Sequence, residues 1–121
     1  MNEKFIQNLD KLPADVRREF ALLANRYGEK KKQDTIQTDF LSFVKHVWPD
    51  FIEGSHHKRI ADKFNKLASG EIKRLIINMP PRHTKSEFGS YLLPAWMVGK
   101  NPKLKIIQST NTTELSVRFG R

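Results

Sequence analysis

The chain contains no cysteine among its 121 residues, and this absence excludes two classes of site. Neither a disulfide framework nor a thiolate-bound zinc site can form without thiols. The redox compartment is therefore unconstrained, and a reducing cytosol is compatible with the sequence.

Long hydrophobic runs are also missing. No window approaches the roughly 20 apolar residues of a membrane span, and the N-terminal stretch MNEKFIQNLDK has no apolar run of signal-peptide length. The sequence therefore predicts a soluble, intracellular protein without a membrane partner. A length of 121 residues indicates at most one domain, and a hydrophobic fraction of 38% indicates a modest core.

Acidic residues are few relative to basic ones. The 13 aspartates and glutamates face 22 lysines and arginines, which gives a formal net charge of +9. Such an excess favours a polyanionic partner, either nucleic acid or the phosphates of a nucleotide. A solvated basic surface explains the same excess equally well, so charge alone leaves both interpretations open.

Apolar residues at helical spacing predict three helices before residue 70. The first begins at Pro13, ends near Gly28 and carries an apolar stripe formed by Val16, Phe20, Leu23 and Tyr27. The charged stretch 29–32 is interpreted as a linker or a frayed helix end. The second helix spans 38–48 with Thr38 as its cap, and the third spans 55–69 with Ser55 as its cap. Their predicted buried faces are formed by Phe40, Phe43, Val44 and Val47 on the second helix and by Ile60, Phe64 and Leu67 on the third. The third has a basic outer face made of Lys58, Arg59, Lys63 and Lys66.

After Gly70 the pattern changes. Residues 75–77 form a short apolar run typical of a buried parallel strand, which is predicted over 74–79. Three further elements are predicted in chain order: helix 85–98, strand 103–109 and helix 111–120. This order indicates an α/β fold: the start of a P-loop NTPase-type parallel sheet, preceded by an N-terminal helical segment.

Glycine is missing where a phosphate-binding loop would need it. The stretch IINMPPRHTKSE ends in the Lys-Ser pair of the motif G-x-x-x-x-G-K-[ST], but Met79 and Thr84 occupy the two glycine positions. Such a loop binds phosphates through backbone N–H groups and a lysine, and binds magnesium through a hydroxyl. A strand that ends, a loop over 79–86 and a helix beginning at Lys85 would supply the same groups. The spacing therefore predicts a nucleotide-phosphate site.

The side chains of this loop carry separate expectations. Pro80 and Pro81 donate no backbone hydrogen bond, so the cradle must come from residues 82–86. Arg82 is placed to reach a γ-phosphate, where charge develops during hydrolysis, and a surface ion pair is the alternative. Thr84 conflicts with the motif, because a β-branched residue resists positive φ.

The segments IINMPPRHTKSEFGSYLLPAW, GKNPKLKIIQST and ELSVRFGR resemble the large terminase subunit of tailed bacteriophages, the ATPase and nuclease of the DNA-packaging motor. The resemblance covers about residues 48–121, and in that family a loop of the form P-P-R-H-x-K-S serves as the Walker A motif. It implies ATP and Mg²⁺ as cofactors, with Arg82 and Lys85 in catalytic roles and Ser86 as the magnesium ligand. The nucleotide-binding residues that it implies are Pro81, Arg82, His83, Thr84, Lys85, Ser86 and Glu87.

The same resemblance implies partners and a setting. The partners are double-stranded DNA, the small terminase subunit and the portal protein, and the setting is the host cytoplasm. Adenine contacts would come from the region of Phe51, His56 and His57, where packing and solvent exposure are the commoner roles. Residues 1–33 would form a helical extension and 34–121 an incomplete ATPase domain. No acidic residue completes the magnesium site, so the chain is expected to be the N-terminal piece of a longer protein and to hydrolyse little ATP alone.

Two other functions remain open from the sequence. One is a non-enzymatic basic module that binds nucleic acid or a partner through helices 13–27 and 56–69. The other is a different P-loop ATPase, such as a helicase-like protein.

Overall fold

Helices supply all the regular secondary structure in residues 13–119, the part of the chain that this computed structural model describes. In chain order they are Ala14–Thr38 (α1), Phe40–Val47 (α2), Ser55–Ala68 (α3), the π-helix Glu87–Leu92, Leu93–Lys100 (α4) and Thr113–Phe119 (α5). Contacts between Cα atoms divide the chain into two compact units, Met1–Asp34 and Thr35–Arg121. The first twelve residues of the predicted extension, and the end of the predicted helix 111–120, lie outside the described residues.

Helix α1 is continuous through Gly28, so the predicted helix end at that residue is wrong. A single glycine in a helix interior destabilises it by only about 1 kcal/mol, and the neighbouring glutamate, lysine and glutamine residues favour the helix. Residues 29–32 are consequently helical and do not form a linker. The predicted apolar stripe of α1 is exposed, from 41% at Val16 to 72% at Tyr27.

The core of the second unit lies where α2 packs on α3. Phe40 and Val44 are fully buried one turn apart on α2, and they face Ile60 and Phe64, which have the same spacing on α3. The ring of Phe40 contacts three other buried rings edge-on, with centroid distances of 5.0 Å to Phe64, 5.4 Å to Phe88 and 5.5 Å to Trp96. Phe40 therefore joins α2, α3, the π-helix and α4 in one cluster.

Hydrogen bonds to Asp39 fix the start of α2. The Asp39 carboxylate accepts from the Ser42 backbone N–H at 2.7 Å and from the Asn65 side-chain amide on α3 at 2.9 Å. Asn65 in turn accepts from the Phe40 N–H at 2.9 Å. The N-cap is thus Asp39 and not Thr38, since the Asp39 side chain accepts from the Ser42 amide in the first turn of α2.

The N-cap of α3 is Gly54 and not Ser55. The Gly54 N–H donates to Nδ1 of His57 at 2.8 Å, so a side chain inside the first turn of α3 supplies the capping bond.

The predicted α/β fold is wrong. Neither predicted strand, 74–79 nor 103–109, forms within residues 13–119, and the observed fold is helical. Ile76 and Ile107, which a central parallel sheet would bury, are 86% and 95% exposed. An extended segment becomes a strand only by hydrogen bonding to another strand, and these two segments lie instead along helices, the first beside α3 and the second beside α4.

A proline explains how the second extended segment is attached. Pro94 has no N–H, so the carbonyl of Ser90, four residues earlier, lacks its α-helical donor. The side-chain amide of Gln108 donates to that carbonyl. The helix around it has a π-helical stretch at Glu87–Leu92, and helical structure continues from Lys85 to Lys100, beyond the predicted end at 98. No helix in the described range is long and apolar enough to cross a membrane.

Candidate functional site

The segment before the π-helix wraps around a concave site. Residues 80–87 together line a cavity of about 330 Å³, which is at the small end of the range for ligand pockets. The structure thus brings the seven residues of the implied nucleotide site into one cavity: Pro81, Arg82, His83, Thr84, Lys85, Ser86 and Glu87. This cavity is called the loop cavity below.

Two residues of the loop have a backbone conformation that usually requires glycine. Arg82 has φ 63° and Thr84 has φ 57°. A non-glycine residue in this region costs about 1–3 kcal/mol and is concentrated at functional sites. Thr84, with positive φ, is followed directly by the right-handed helical residue Lys85. Alternation of this kind turns successive N–H groups towards one side and forms an anion-binding concavity.

The backbone amides at this point are available to a ligand. Within residues 13–119, the N–H groups of Thr84, Lys85 and Ser86 donate to no protein acceptor, and the first amide of the turn that is used is that of Phe88, which donates to the Thr84 carbonyl at 2.9 Å. Free amides at the beginning of a helix carry partial positive charge. The loop cavity is therefore bordered by unused donors at the positive end of a helix.

The charged side chains around the loop cavity differ in whether they are paired. Arg82 and Lys85 are exposed and form no ion pair within the described part of the chain. Glu87, the acidic residue nearest to them, lies 3.3 Å from Arg118 of α5. Among the described residues, the cavity consequently presents two cations without a carboxylate partner, while its own carboxylate is partly neutralised.

His83 stabilises the turn that precedes the helix. Its Nδ1 lies 2.9 Å from the Pro81 carbonyl, which can only accept, so Nδ1 carries the proton and donates. The Thr84 hydroxyl donates to the His83 carbonyl at 2.7 Å. These two bonds use the side chains of His83 and Thr84 inside the loop.

His57 of α3 lies behind the loop, and the sequence did not identify it as part of the loop. It is buried, and its Nε2 is 2.8 Å from the Thr84 hydroxyl. Its Nδ1 accepts from Gly54, so the proton of the neutral ring is on Nε2 and is donated to Thr84. Burial lowers the pKa of His57 below its ordinary value of 6.5, as do the nearby His56 and His83, while Glu53 opposes the shift. No local signal predicts this contact, since 27 residues separate the two partners.

Phe51, His56 and His57, the three residues suggested for adenine contact, form a group of packed rings behind the loop. Phe51 packs against His57 at a centroid distance of 4.8 Å and against Phe88 at 5.5 Å, and the rings of His56 and His57 are 3.8 Å apart. Packing, the alternative role for Phe51, accounts for its contacts, whereas solvent exposure, the alternative role for the two histidines, is wrong for His57, which is buried.

The basic face of α3 is partly neutralised. Lys58 lies 3.1 Å from Glu53, and Lys66 lies 3.7 Å from Asp62. Arg59 and Lys63 line a second groove of about 420 Å³ beside residues 75–79. Lys63 also lies 3.4 Å from Asp62, so three of the four basic residues of this face are paired with carboxylates, whereas Arg82 and Lys85 have no carboxylate partner in the described residues.

The donor set for magnesium is small. No group of three or more histidine, cysteine, aspartate or glutamate side chains in the described residues is arranged to hold a metal ion. The Ser86 hydroxyl, at the exposed start of the helix, is the one implied protein ligand. Mg²⁺ retains several waters and is often bound through few protein groups plus substrate phosphates, so these residues fit the ion only together with a phosphate ligand.

In comparisons with protein-family models, curated proteins and solved structures, the chain matched none.

Proposed function

We propose that the loop over residues 79–86 binds the phosphate chain of ATP together with Mg²⁺. The observation that carries this proposal is the loop cavity, which combines unused backbone amides with two cations that have no carboxylate partner in the described residues. Phosphate oxygens accept from such amides, and a helix beginning at the same point favours negative charge.

The side chains have distinct roles in this proposal. Lys85, the first helical residue, places an ammonium group next to the free amides and would neutralise the phosphate chain. Arg82 presents a planar guanidinium that can bind two phosphate oxygens at once. Ser86 would hold magnesium, which supplies positive charge between phosphate oxygens when it is bound.

The wider activity rests on the resemblance to the large terminase subunit. On that basis we propose that the chain is part of an ATPase that drives DNA into a phage head in the host cytoplasm, together with a small terminase subunit and a portal protein. The helical fold observed here does not by itself support that activity. Because no group of acidic and histidine side chains in the described residues is arranged to complete a magnesium site, we propose that this chain alone binds nucleotide and turns over little of it.

Titration with Mg-ATP, followed by backbone amide NMR, tests the binding site. We expect the amides of residues 82–86 to shift, and we expect Lys85→Ala to weaken binding about 10- to 100-fold, as for the loss of a charge-assisted hydrogen bond of about 1.5–3 kcal/mol. Lys103→Ala is the matched control, since Lys103 is an exposed lysine that does not line the loop cavity. It should bind as the wild type does.

Two outcomes would contradict the proposal. Equal binding by the Lys85→Ala and Lys103→Ala variants would show that the loop lysine has no specific role. Shifts confined to the groove of Arg59 and Lys63, together with salt-dependent binding of DNA, would favour a non-enzymatic nucleic-acid-binding module instead.

A further inference from the structure

The conformation of the loop depends on a side chain from a distant part of the sequence. Thr84 has φ 57°, which its β-branched side chain disfavours. Its hydroxyl accepts from His57 Nε2 at 2.8 Å and donates to the His83 carbonyl at 2.7 Å. These two bonds hold the Thr84 hydroxyl between the His57 ring and the His83 carbonyl.

The hydrogen bonds of His57 form one directional chain. The Gly54 N–H donates to Nδ1 at 2.8 Å, and the opposite nitrogen, Nε2, donates to Thr84. This arrangement needs a neutral ring with its proton on Nε2. A second proton on Nδ1 would point at the Gly54 N–H, and the repulsion between these two donors would displace the ring, and Nε2 with it, from its place beside Thr84.

We propose that His57 is a positioning residue that holds Thr84 at positive φ, and that protonation of its ring releases the loop. The loop conformation can be tested without any ligand, whereas the consequence for phosphate affinity rests on the function proposed above.

The surroundings of His57 disfavour the charged ring. His57 lies in the first turn of α3, where the helix end carries partial positive charge. His56 on the same helix and His83 in the loop add further positive charge when they are protonated. The opposing carboxylate, Glu53, is already paired with Lys45 and Lys58, and the rings of Phe51 and Phe88, which also pack against His57, are uncharged.

The first test follows Thr84 in the free chain by NMR as the pH is lowered from about 7.5 to about 5. At the higher pH the His57 ring nitrogens should show the Nε2–H form, and the Thr84 backbone coupling should report positive φ. Protonation should remove both signatures together. His46→Ala is the control, because His46 is an exposed histidine on α2, and this variant should respond to pH as the wild type does.

Substitutions test separately the hydrogen bond from His57 to Thr84, called the clamp below, and the backbone strain of positive φ at Thr84. His57→Ala should lose positive φ at Thr84 and bind magnesium tripolyphosphate about tenfold more weakly, because a smaller fraction of molecules has the competent loop. Thr84→Gly should keep the loop conformation at both pH values, since glycine adopts positive φ without steric cost. Adding Thr84→Gly to His57→Ala should therefore restore both the conformation and the affinity.

A further variant covers the case in which His57→Ala does not fold. Thr84→Val keeps the buried histidine and the branched shape but removes the hydroxyl, and it should also release the loop. An Nδ1–H form of His57 at the higher pH, or positive φ at residue 84 in Thr84→Val, would overturn the proposal. If the loop responds as expected but tripolyphosphate does not bind, the clamp stands and the proposed function falls. If tripolyphosphate binds but neither pH nor these substitutions change the loop conformation, the proposed function stands and the proposed role of His57 is wrong.

Discussion

Replacing Asp39 with alanine should destabilise the second unit more than its partly exposed position suggests. The carboxylate accepts three hydrogen bonds, from the N–H and hydroxyl of Ser42 at 2.7 Å each and from the Asn65 amide at 2.9 Å. It therefore caps α2 and also ties that helix to α3. The same Asn65 holds the amide of Phe40, the central ring of the core.

The magnitude follows from these contacts. Loss of an N-cap costs about 0.5–2 kcal/mol, and loss of one hydrogen bond to a charged group about 1.5–3 kcal/mol. The two effects overlap, because the Ser42 amide can be rehydrated once the carboxylate is gone. We therefore expect Asp39→Ala to lower the free energy of unfolding by about 2–3 kcal/mol. Asp39→Asn keeps an acceptor oxygen at the cap and should lose about 1 kcal/mol.

Urea unfolding monitored by circular dichroism measures these differences, with Asp50→Ala as the control for an exposed aspartate in a turn. If Asp39→Ala lost no more stability than Asp50→Ala, the carboxylate would not join the two helices as described.

The free energy of unfolding of the second unit should also depend on pH through the carboxyl group of Asp39. Burial raises the pKa of this carboxyl, but the hydrogen bonds from Ser42 and Asn65 outweigh it and hold the pKa below its ordinary value of 3.8. The stabilisation is therefore complete above pH 3.8 and is lost as the pH falls through the lowered pKa. Asp39→Ala should remove this part of the acid dependence, and an unchanged profile would contradict the assignment.

Three further predictions concern packing and polar contacts. Phe40→Ala should lose about 3–5 kcal/mol in urea unfolding, because the ring is fully buried; a loss below about 1.5 kcal/mol would mean that the cluster is looser than described. Arg118→Ala should change stability by less than about 1 kcal/mol, because its pair with Glu87 is largely exposed, and a larger loss would show that α5 depends on this pair. Gln108→Leu should lower the free energy of unfolding by about 1–3 kcal/mol and increase the exchange of nearby amides with deuterium, since the Ser90 carbonyl loses the Gln108 donor. Unaltered exchange would argue against this hydrogen bond.

Sequence reasoning succeeded where a helix has a local signal. The spacing of Phe40 and Val44 on α2, and of Ile60 and Phe64 on α3, places apolar side chains one turn apart, and these side chains are buried. Val47, predicted on the same face of α2, is 51% exposed. The caps were assigned one residue away from their observed positions. The observed N-caps are Asp39 and Gly54 in place of the predicted Thr38 and Ser55, because capping depends on which groups reach the free amides.

The predicted sheet failed for a different reason. A run such as residues 75–77 shows that apolar side chains are available for burial, but it carries no information about what buries them. A strand requires a hydrogen-bonded neighbour that can be far away in the sequence. Here the helix faces of α3 and α4 provide contacts to the extended segments, and Ile76 and Ile107 remain exposed.

The sequence by itself determined the chemistry available to this protein: a basic chain without thiols, with helices set by apolar spacing and a cationic loop of defined order between Pro80 and Glu87. Tertiary structure alone decided the shape of that loop. Nothing local favours positive φ at a threonine, and the hydrogen bond that supports it comes from His57, 27 residues earlier. Composition and spacing act along the chain, whereas a strained backbone is held by contacts that only folding brings together.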